Sequence, residues 1–326
     1  MSRSYQKRGD LIMNNTWGDM AQYDPVTWHW VIAVYLFMAG LSAGSLLIGI
    51  GLRWFNQEQT QVESNILKAA AIIGPVAISL GLACLVFDLT KPFHFWLILI
   101  NYNFQSVMAI GVLALLAYSP LAFAYAILVL RDDLPKWGLG FLAPIAKLLM
   151  PFRKLIEVLL FVLAIGVGAY TGFLISAMNA YPMLNTAVLP ALFLVSGLSA
   201  GAAANAVLAL VMFKTDSHDK TLAKMHGLEL PVMAIEIMFL FMLFCALYFK
   251  GGAAAAALAS LTSGVWASVF WIGVVGIGFG VPLLFMLLPA ATRHTKGAMI
   301  MVACASLTGV LALRHFIVYA GQSYLS

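Results

Sequence analysis

The sequence predicts an all-α membrane protein with eight transmembrane helices, arranged as two tandem four-helix bundles of the same orientation. Three observations support this prediction: the composition is strongly apolar, eight stretches are long enough to cross a bilayer, and one pentapeptide recurs in the first and fifth stretches. Of the 326 residues, 63% are hydrophobic and 10% are charged, whereas soluble domains carry about 25% charged residues. A soluble fold is therefore excluded.

The eight predicted spans follow from length and hydropathy, because a helix needs about 20 apolar residues to cross a bilayer. They cover residues 28–52, 66–89, 104–130, 155–177, 187–213, 229–249, 263–289 and 297–320. The third and seventh spans are long and interrupted by glycine or proline, which leaves their limits the least defined. A transmembrane β-barrel would show alternating strands of about ten residues instead, and this fold is rejected.

A repeat explains the number of spans. The pentapeptide GLSAG occurs at Gly40–Gly44 and again at Gly197–Gly201. Two further matches follow in order at similar spacing, namely Pro75 with Pro231 and Tyr170 with Tyr319. Such ordered matches indicate a duplicated unit, and four spans per unit keep both halves in the same orientation. Because small residues let helices approach closely in lipid, GLSAG is interpreted as a packing motif.

The duplication divides the chain into four segments. Residues 1–27 are a periplasmic N-terminal segment, 28–177 the first four-helix bundle, 178–186 a periplasmic link and 187–326 the second four-helix bundle. The N-terminal segment has no apolar stretch, so no cleavable signal peptide is expected.

The distribution of basic residues predicts the orientation. Both termini lie on one side, which carries five basic residues, and the other side carries twelve: Arg53, Lys68, Arg131, Lys136, Lys147, Arg153, Lys154, Lys214, Lys220, Lys224, Arg293 and Lys296. The positive-inside rule places the side with twelve in the cytoplasm. The predicted location is a bacterial inner membrane with both termini periplasmic. Topology also explains the net charge of +5, so nucleic acid is not expected as a partner.

Metal and haem sites are not expected in this chain. The three cysteines, Cys84, Cys245 and Cys304, fall inside spans without ligand spacing, so neither a disulfide framework nor an iron–sulfur cluster is predicted. Two haems would need histidine pairs at two depths on facing helices, and only His29 and His315 could form even one pair. A haem-binding quinol dehydrogenase remains an alternative that an absorbance spectrum would decide.

Polar residues within the membrane are costly to bury and usually face a cavity or a partner. His29, Asp88, Asn101, Tyr170 and Arg314 all fall toward the predicted periplasmic face. Together they suggest a site for an amphiphilic ligand near that face. The alternative for His29 is an interfacial histidine among tryptophans, and for Tyr170 a helix-packing hydroxyl.

Two acids lie toward the opposite face. Glu229 and Glu236 are two helical turns apart on one face of the sixth span. Such a pair could carry protons inward from the cytoplasm. One interfacial acid and one packing acid would give the same pattern, so both interpretations stay open.

Five blocks of the sequence together resemble the membrane subunits of the NrfD/PsrC family. They are WHWVIAVYLFMAGLSAGS, LVFDLTKPFHFW, GAYTGFLISAMNAYPMLN, PALFLVSGLSAGAA and LRHFIVYAGQ. The resemblance runs from about Trp28 to Gln322, nearly the whole chain. It implies a haem-free protein of two four-helix bundles with periplasmic termini.

The resemblance also implies a function. Such a subunit binds menaquinone or ubiquinone near the periplasmic face and exchanges electrons with a periplasmic iron–sulfur subunit, which connects to a catalytic reductase subunit. By position, His29 and Tyr170 look like the residues that hold the quinone head group. Asp88, Asn101 and Arg314 are second candidates, as pocket lining or as part of an ion pair that closes the bundle.

Several questions stay open at this point. A secondary transporter is the main alternative, because tandem repeats and broken helices also mark transporters. It would be expected to build a site at the midplane, whereas the polar residues here are predicted near the two faces. The terminal electron acceptor, polysulfide, thiosulfate or nitrite, and any proton translocation are also undecided.

Overall fold

The structure is a computed structural model, and it describes residues 28–55, 63–89, 93, 96, 106–217, 219–293 and 295–323. Within these ranges, eight helices are long and apolar enough to cross a membrane. They are α1 (Trp30–Phe55), α2 (Asn65–Asp88), α3 (Val107–Val129), α4 (Arg153–Ser176), α5 (Val188–Val211), α6 (Lys220–Lys250), α7 (Gly264–Met286) and α8 (Lys296–Ser323). The eight predicted spans are confirmed.

Helix α6 is longer than predicted, because it begins at Lys220 rather than near residue 229. Asp219 caps its first turn by accepting hydrogen bonds from the backbone N–H groups of Thr221, at 2.8 Å, and Leu222, at 3.2 Å. The helix has 31 residues and is therefore about 46 Å long at 1.5 Å per residue. It exceeds a hydrocarbon core of about 30 Å, so its polar first turns, which hydropathy does not detect, extend beyond that core.

Helix α7 departs from regular α-helical geometry. Its central part, Val269–Gly280, is a π-helix of 12 residues between two short α-helical segments. In this part Gly278 packs against the backbone of Gly309 in α8, where a Cβ at either glycine would collide with the other. Only glycine at both positions therefore allows the two backbones to come this close.

The two GLSAG motifs pack directly on each other, where α1 crosses α5. A Cβ added to Gly44 would overlap the carbonyl group of Gly197, and one added to Gly201 would overlap the backbone of Gly44 and Ser45. Side chains then connect the crossing: Ser45 Oγ donates to Asn205 Oδ1 at 2.6 Å, and Asn205 Nδ2 donates to the Ser45 carbonyl at 3.0 Å. The predicted packing role of the motif is confirmed.

The remaining helices assemble around this crossing. In the first half, α1 packs on α2 and α4, while α3 packs on both of these neighbours. In the second half, α5 packs on α6 and α8, and α7 packs mainly on α8, without an extensive contact to α6. Helix α5 also contacts α1, α2 and α4. The division into two separate four-helix bundles stays a prediction, since the two halves share an extensive interface.

Ion pairs close the first half at the end with the twelve basic residues. Arg53 Nη1 lies 2.8 Å from Glu157 Oε1, and Arg153 Nη2 lies 2.6 Å from Glu63 Oε1. These pairs connect the end of α1 and the chain before α2 to the start of α4. Burial raises the pKa of Glu63, against the lowering effect of Arg53.

A second set of ion pairs lies beside the first. Asp133 accepts hydrogen bonds from Lys68 Nζ at 2.6 Å and from Lys136 Nζ at 2.7 Å. These hydrogen bonds, with that of Lys136 the stronger influence, lower the pKa of the Asp133 carboxyl group. Together the ion pairs fix the connection between α3 and α4 over the end of the first half.

Candidate functional site

Two tyrosines face the interior near one end of the first four helices. Tyr170 in α4 is 8% exposed, and its ring covers Gly111 of α3, where a Cβ would overlap the ring. Tyr35 in α1 is fully buried beside Gly81 of α2. The two hydroxyl groups lie within range of electrostatic interaction. Side chains and glycines from all four helices therefore meet at this point.

The depths of the two tyrosines agree. Tyr35 follows the start of α1 by five residues, and Tyr170 precedes the end of α4 by six. At 1.5 Å per residue both lie about 8–9 Å inside the same end of the molecule. By the predicted orientation, this is the periplasmic end.

The hydroxyl group of Tyr35 is buried without a hydrogen-bond partner among the described residues. A buried hydroxyl without a partner costs free energy, and Tyr125 carries a second one in the described part of the chain. Sequence reasoning missed Tyr35. A signal was present, since this tyrosine follows His29 by six residues inside an otherwise apolar stretch.

The structure places His29 at the same end as the tyrosines, exposed just before α1. Its backbone carbonyl accepts a hydrogen bond from the Ile32 N–H at 3.1 Å. The preceding residue is anchored, because the Trp28 N–H donates to Gln322 Oε1 at 2.9 Å and Gln322 Nε2 donates to the Trp28 carbonyl at 3.2 Å. These hydrogen bonds fix the start of α1 against the end of α8.

Asp88 and Asn101 are the other site residues that were predicted at this end. Asp88 is exposed as the last residue of α2, two helical turns beyond Gly81 and its contact with Tyr35. Asn101 lies outside the described residues. Among the described residues, Asp88 makes no contact with the tyrosine pair that the structure shows.

Arg314 lies between α1 and α5, near the crossing of these two helices. It is fully buried, its Nη2 donates to the Phe193 carbonyl at 2.9 Å, and its guanidinium lies 3.7 Å from the centroid of the Phe193 ring. A Cβ at Gly40 would lie 3.4 Å from Nη2. Its Nε and Nη1 atoms have no hydrogen-bond partner in the described part of the chain.

Arg314 interacts electrostatically with Glu236 of α6. Glu236 is 2% exposed and is about midway along its helix. Its carboxylate borders a cavity of about 10 Å³ that Ser199 and Ser306 also line. Such a volume holds about one water molecule, and among the described residues no cation lies within 4.0 Å of the carboxylate. A buried acid and a buried base therefore share the interior of the second half without forming a direct ion pair.

Glu229 has a different environment from Glu236. Its Oε1 lies 2.8 Å from His226 Nδ1, and both residues line a cavity of about 460 Å³ between α6, α7 and α8. The two acids thus border separate cavities along α6. His226 lies in α6, six residues after the helix begins.

The interior pair also corrects an argument against a transporter. Polar residues were predicted near the two membrane faces, yet Glu236 and Arg314 interact well inside the helices. The position of polar groups therefore does not decide between a transporter and a quinone-reactive subunit. Among the described residues, no group of three or more His, Cys, Asp or Glu side chains could hold a metal ion.

Comparison with known proteins identifies relatives along the whole length of the protein. The family model described as polysulphide reductase, NrfD, matches residues 18–326. The C subunit of polysulfide reductase from Wolinella succinogenes is 46% identical over 316 residues, which is 96% of this protein and 100% of the relative. Protein NrfD of Escherichia coli is 39% identical over 92% of this protein and 96% of the relative. An NrfD homolog of Haemophilus influenzae is 37% identical over 91% and 95%.

Proposed function

Because the chain belongs to the polysulphide reductase NrfD family, we propose that it is the quinone-reactive membrane subunit of a respiratory oxidoreductase complex. The observation that carries this proposal is the 46% identity to a polysulfide reductase subunit over the relative's full length. The predicted family resemblance is thereby confirmed. The proposal also assigns quinone binding and electron transfer to particular parts of the molecule.

The tyrosine pair fits a quinone head group. When bound, a quinone or quinol supplies a carrier of two electrons and two protons. The unpartnered Tyr35 hydroxyl and the neighbouring Tyr170 can each donate a hydrogen bond to a carbonyl oxygen or accept one from a hydroxyl group. Packing on Gly81 and Gly111 fixes the positions of the two buried rings.

His29 is proposed to handle the protons of this reaction. An imidazole can both donate and accept a proton, and His29 is exposed at the same end as the tyrosines. It can therefore pass protons between the site and the aqueous phase. Asp88 and Asn101 remain proposed as lining of the same site, while the place of Arg314 at the α1–α5 crossing favours a structural and electrostatic role.

Electrons are proposed to leave through a partner. An iron–sulfur subunit docks on the periplasmic face, near the site, and connects to a catalytic reductase subunit. The link between α4 and α5 is part of this face, and residues 178–187 contain no charged side chain. An uncharged surface suits a permanent protein interface, whose core is depleted of charged residues.

Proton movement across the membrane is a further part of the proposal. Glu236 borders a cavity the size of a water molecule and interacts with Arg314, and Glu229 borders a larger cavity closer to the basic end. Both acids are on α6, so a proton could bind first to one carboxylate and then to the other as it moves along the helix. A transporter would also use a buried charged pair, but the similarity to named reductase subunits favours the oxidoreductase.

Purification of the intact complex in a mild detergent tests the proposal. Iron–sulfur and reductase subunits should co-purify, and the complex should oxidise a reduced quinone analogue. Ala180→Glu, an exposed change in the α4–α5 link, should release the partners while leaving the helices folded. Leu139→Glu, exposed at the opposite end, is the control. The transporter would be favoured if the protein purified without partner subunits and did not oxidise quinol, and if vesicles that contain it took up a solute.

A further inference from the structure

A cavity of about 460 Å³ opens between α6, α7 and α8 at the end of the molecule with the twelve basic residues. It lies at the opposite end from the tyrosine pair. Its volume falls within the range of about 300–1,000 Å³ that is typical of small-molecule sites. Of the proposed functional residues, only Glu229 lines it.

The two halves of the molecule differ at this end. In the first half, the connection between α3 and α4 runs through short helices, including Leu134–Trp137 and Ala143–Leu149, and ion pairs hold it in place. In the second half, α7 and α8 are joined by residues 287–295 only, and α6 has no extensive contact with α7. The cavity is therefore the gap that the shorter connection leaves uncovered.

The polar side chains that line the cavity are those of His226, Glu229 and Arg293. The Glu229 carboxylate is paired with His226 Nδ1 at 2.8 Å, while His226 Nε2 is buried without a hydrogen-bond partner among the described residues. Arg293 makes one long hydrogen bond, at 3.5 Å, to the Met286 carbonyl. In the ranges that the structure describes, no acidic group lies within 4.0 Å of the Arg293 guanidinium, so its charge is available to an anion.

These polar groups lie at the depth of lipid head groups. Since α6 is about 16 Å, or about three turns, longer than a hydrocarbon core of about 30 Å, its polar first turns extend beyond that core. His226 follows the helix start by six residues, which places it at the boundary, and Arg293 belongs to the connection outside α7. Deeper in the cavity the walls are apolar, with Leu230, Phe285 and Val302.

We propose that this cavity binds an anionic phospholipid of the leaflet at the basic end of the molecule. The phosphate group accepts hydrogen bonds from Arg293 beside the buried His226 Nε2, which has no partner among the described residues, and an acyl chain fills the apolar part between α6 and α7. Basic pockets between transmembrane helices suit anionic head groups in this way.

Native mass spectrometry of the full-length purified protein tests this site. The protein is delipidated and then titrated with phosphatidylglycerol or with phosphatidylcholine of the same acyl composition. The parent should retain one phosphatidylglycerol at least tenfold more tightly than phosphatidylcholine. Arg293→Gln should weaken phosphatidylglycerol binding about tenfold, because it removes a charge-assisted hydrogen bond donor.

The control is Lys147→Gln, which removes an exposed basic residue at the same end but outside the cavity. It should bind phosphatidylglycerol like the parent. Equal binding of the two lipids, or equal losses in the Arg293 and Lys147 variants, would overturn the proposal. So would specific retention of a quinone that Arg293→Gln abolishes, because the cavity would then be a second quinone site. The result does not depend on quinol oxidation at the tyrosine pair.

Discussion

The carboxylate of Glu236 and the guanidinium of Arg314 interact electrostatically inside the second half, across helices α6 and α8. Both side chains are almost completely buried. Arg314 is held by the Phe193 carbonyl and ring, whereas Glu236 faces a cavity the size of one water molecule. The acid is therefore the member of the pair that borders a cavity.

Glu236→Gln should slow coupled proton movement while leaving quinone binding nearly unchanged. The amide keeps the shape of the side chain but cannot ionise, and a positioned proton-transfer group contributes roughly a hundredfold or more to rate. Proton release and quinol oxidation are measured together in vesicles. Asp132→Asn, an acid-to-amide change at an exposed site, serves as the control. A Glu236 variant that matches this control in both assays would assign the acid to packing alone.

Gly44→Ala should destabilise the protein, because the new methyl group would overlap the Gly197 carbonyl at the α1–α5 crossing. Overpacking of this kind costs about 1–3 kcal/mol. Gly51→Ala is a matched control in the same helix, since a Cβ there meets no atom within 4 Å. Denaturant unfolding in detergent measures both variants. Equal free energies of unfolding for the two variants would contradict this prediction, because α1 and α5 would then accommodate the added methyl group.

Asp133→Asn should lower stability at pH 7 by about 1–2 kcal/mol, because the carboxylate loses charged hydrogen bonds with Lys136 and Lys68. The pKa of Asp133 is below its ordinary value of 3.8. Its contribution is therefore present above pH 3.8 and is lost as the pH falls through the lower folded-state pKa. Thermal unfolding should show a smaller difference in stability between parent and variant at pH 3 or below than at pH 7. A difference that is constant with pH would contradict this role.

Much of the fold was predictable because hydropathy and small-residue motifs act locally along the sequence. The eight spans and the packing role of GLSAG followed from residues that are close in sequence. The interaction of Tyr35 with Tyr170 and that of Glu236 with Arg314 did not, because they depend on how helices rotate against one another. Helices that are apolar on all faces carry little signal about that rotation.

The predicted start of a helix was wrong where polar residues extend the helix beyond its apolar part. Lys220, Lys224 and His226 lowered the hydropathy of the first turns of α6, so the span was predicted to begin at residue 229. The cavity that His226 and Glu229 line was therefore not foreseen. The π-helical part of α7 had only an indirect signal, the glycines of Val269–Gly280.

A reporter fused after Ser326 should give a periplasmic signal, and one inserted near Asp216 a cytoplasmic signal. The expectation follows from the five-to-twelve distribution of basic residues and the positive-inside rule. Paired periplasmic and cytoplasmic reporters at each position measure the orientation. The opposite pattern would place the tyrosine pair at the cytoplasmic face and remove the proposed docking of a periplasmic partner.

Binding of a quinol analogue to the intact complex, measured for the parent and for Tyr35→Phe, Tyr170→Phe and His29→Ala, tests the central claim most directly. Each tyrosine variant loses one hydroxyl group that is proposed to contact the head group, at a cost of about 1–3 kcal/mol. Affinity should fall roughly tenfold to a hundredfold, with subunit assembly intact. His29→Ala should slow quinol oxidation more than it weakens binding. Parent-like affinity in both tyrosine variants, with binding lost instead in Glu229→Gln, would contradict the account and place the quinone at the opposite end of the molecule.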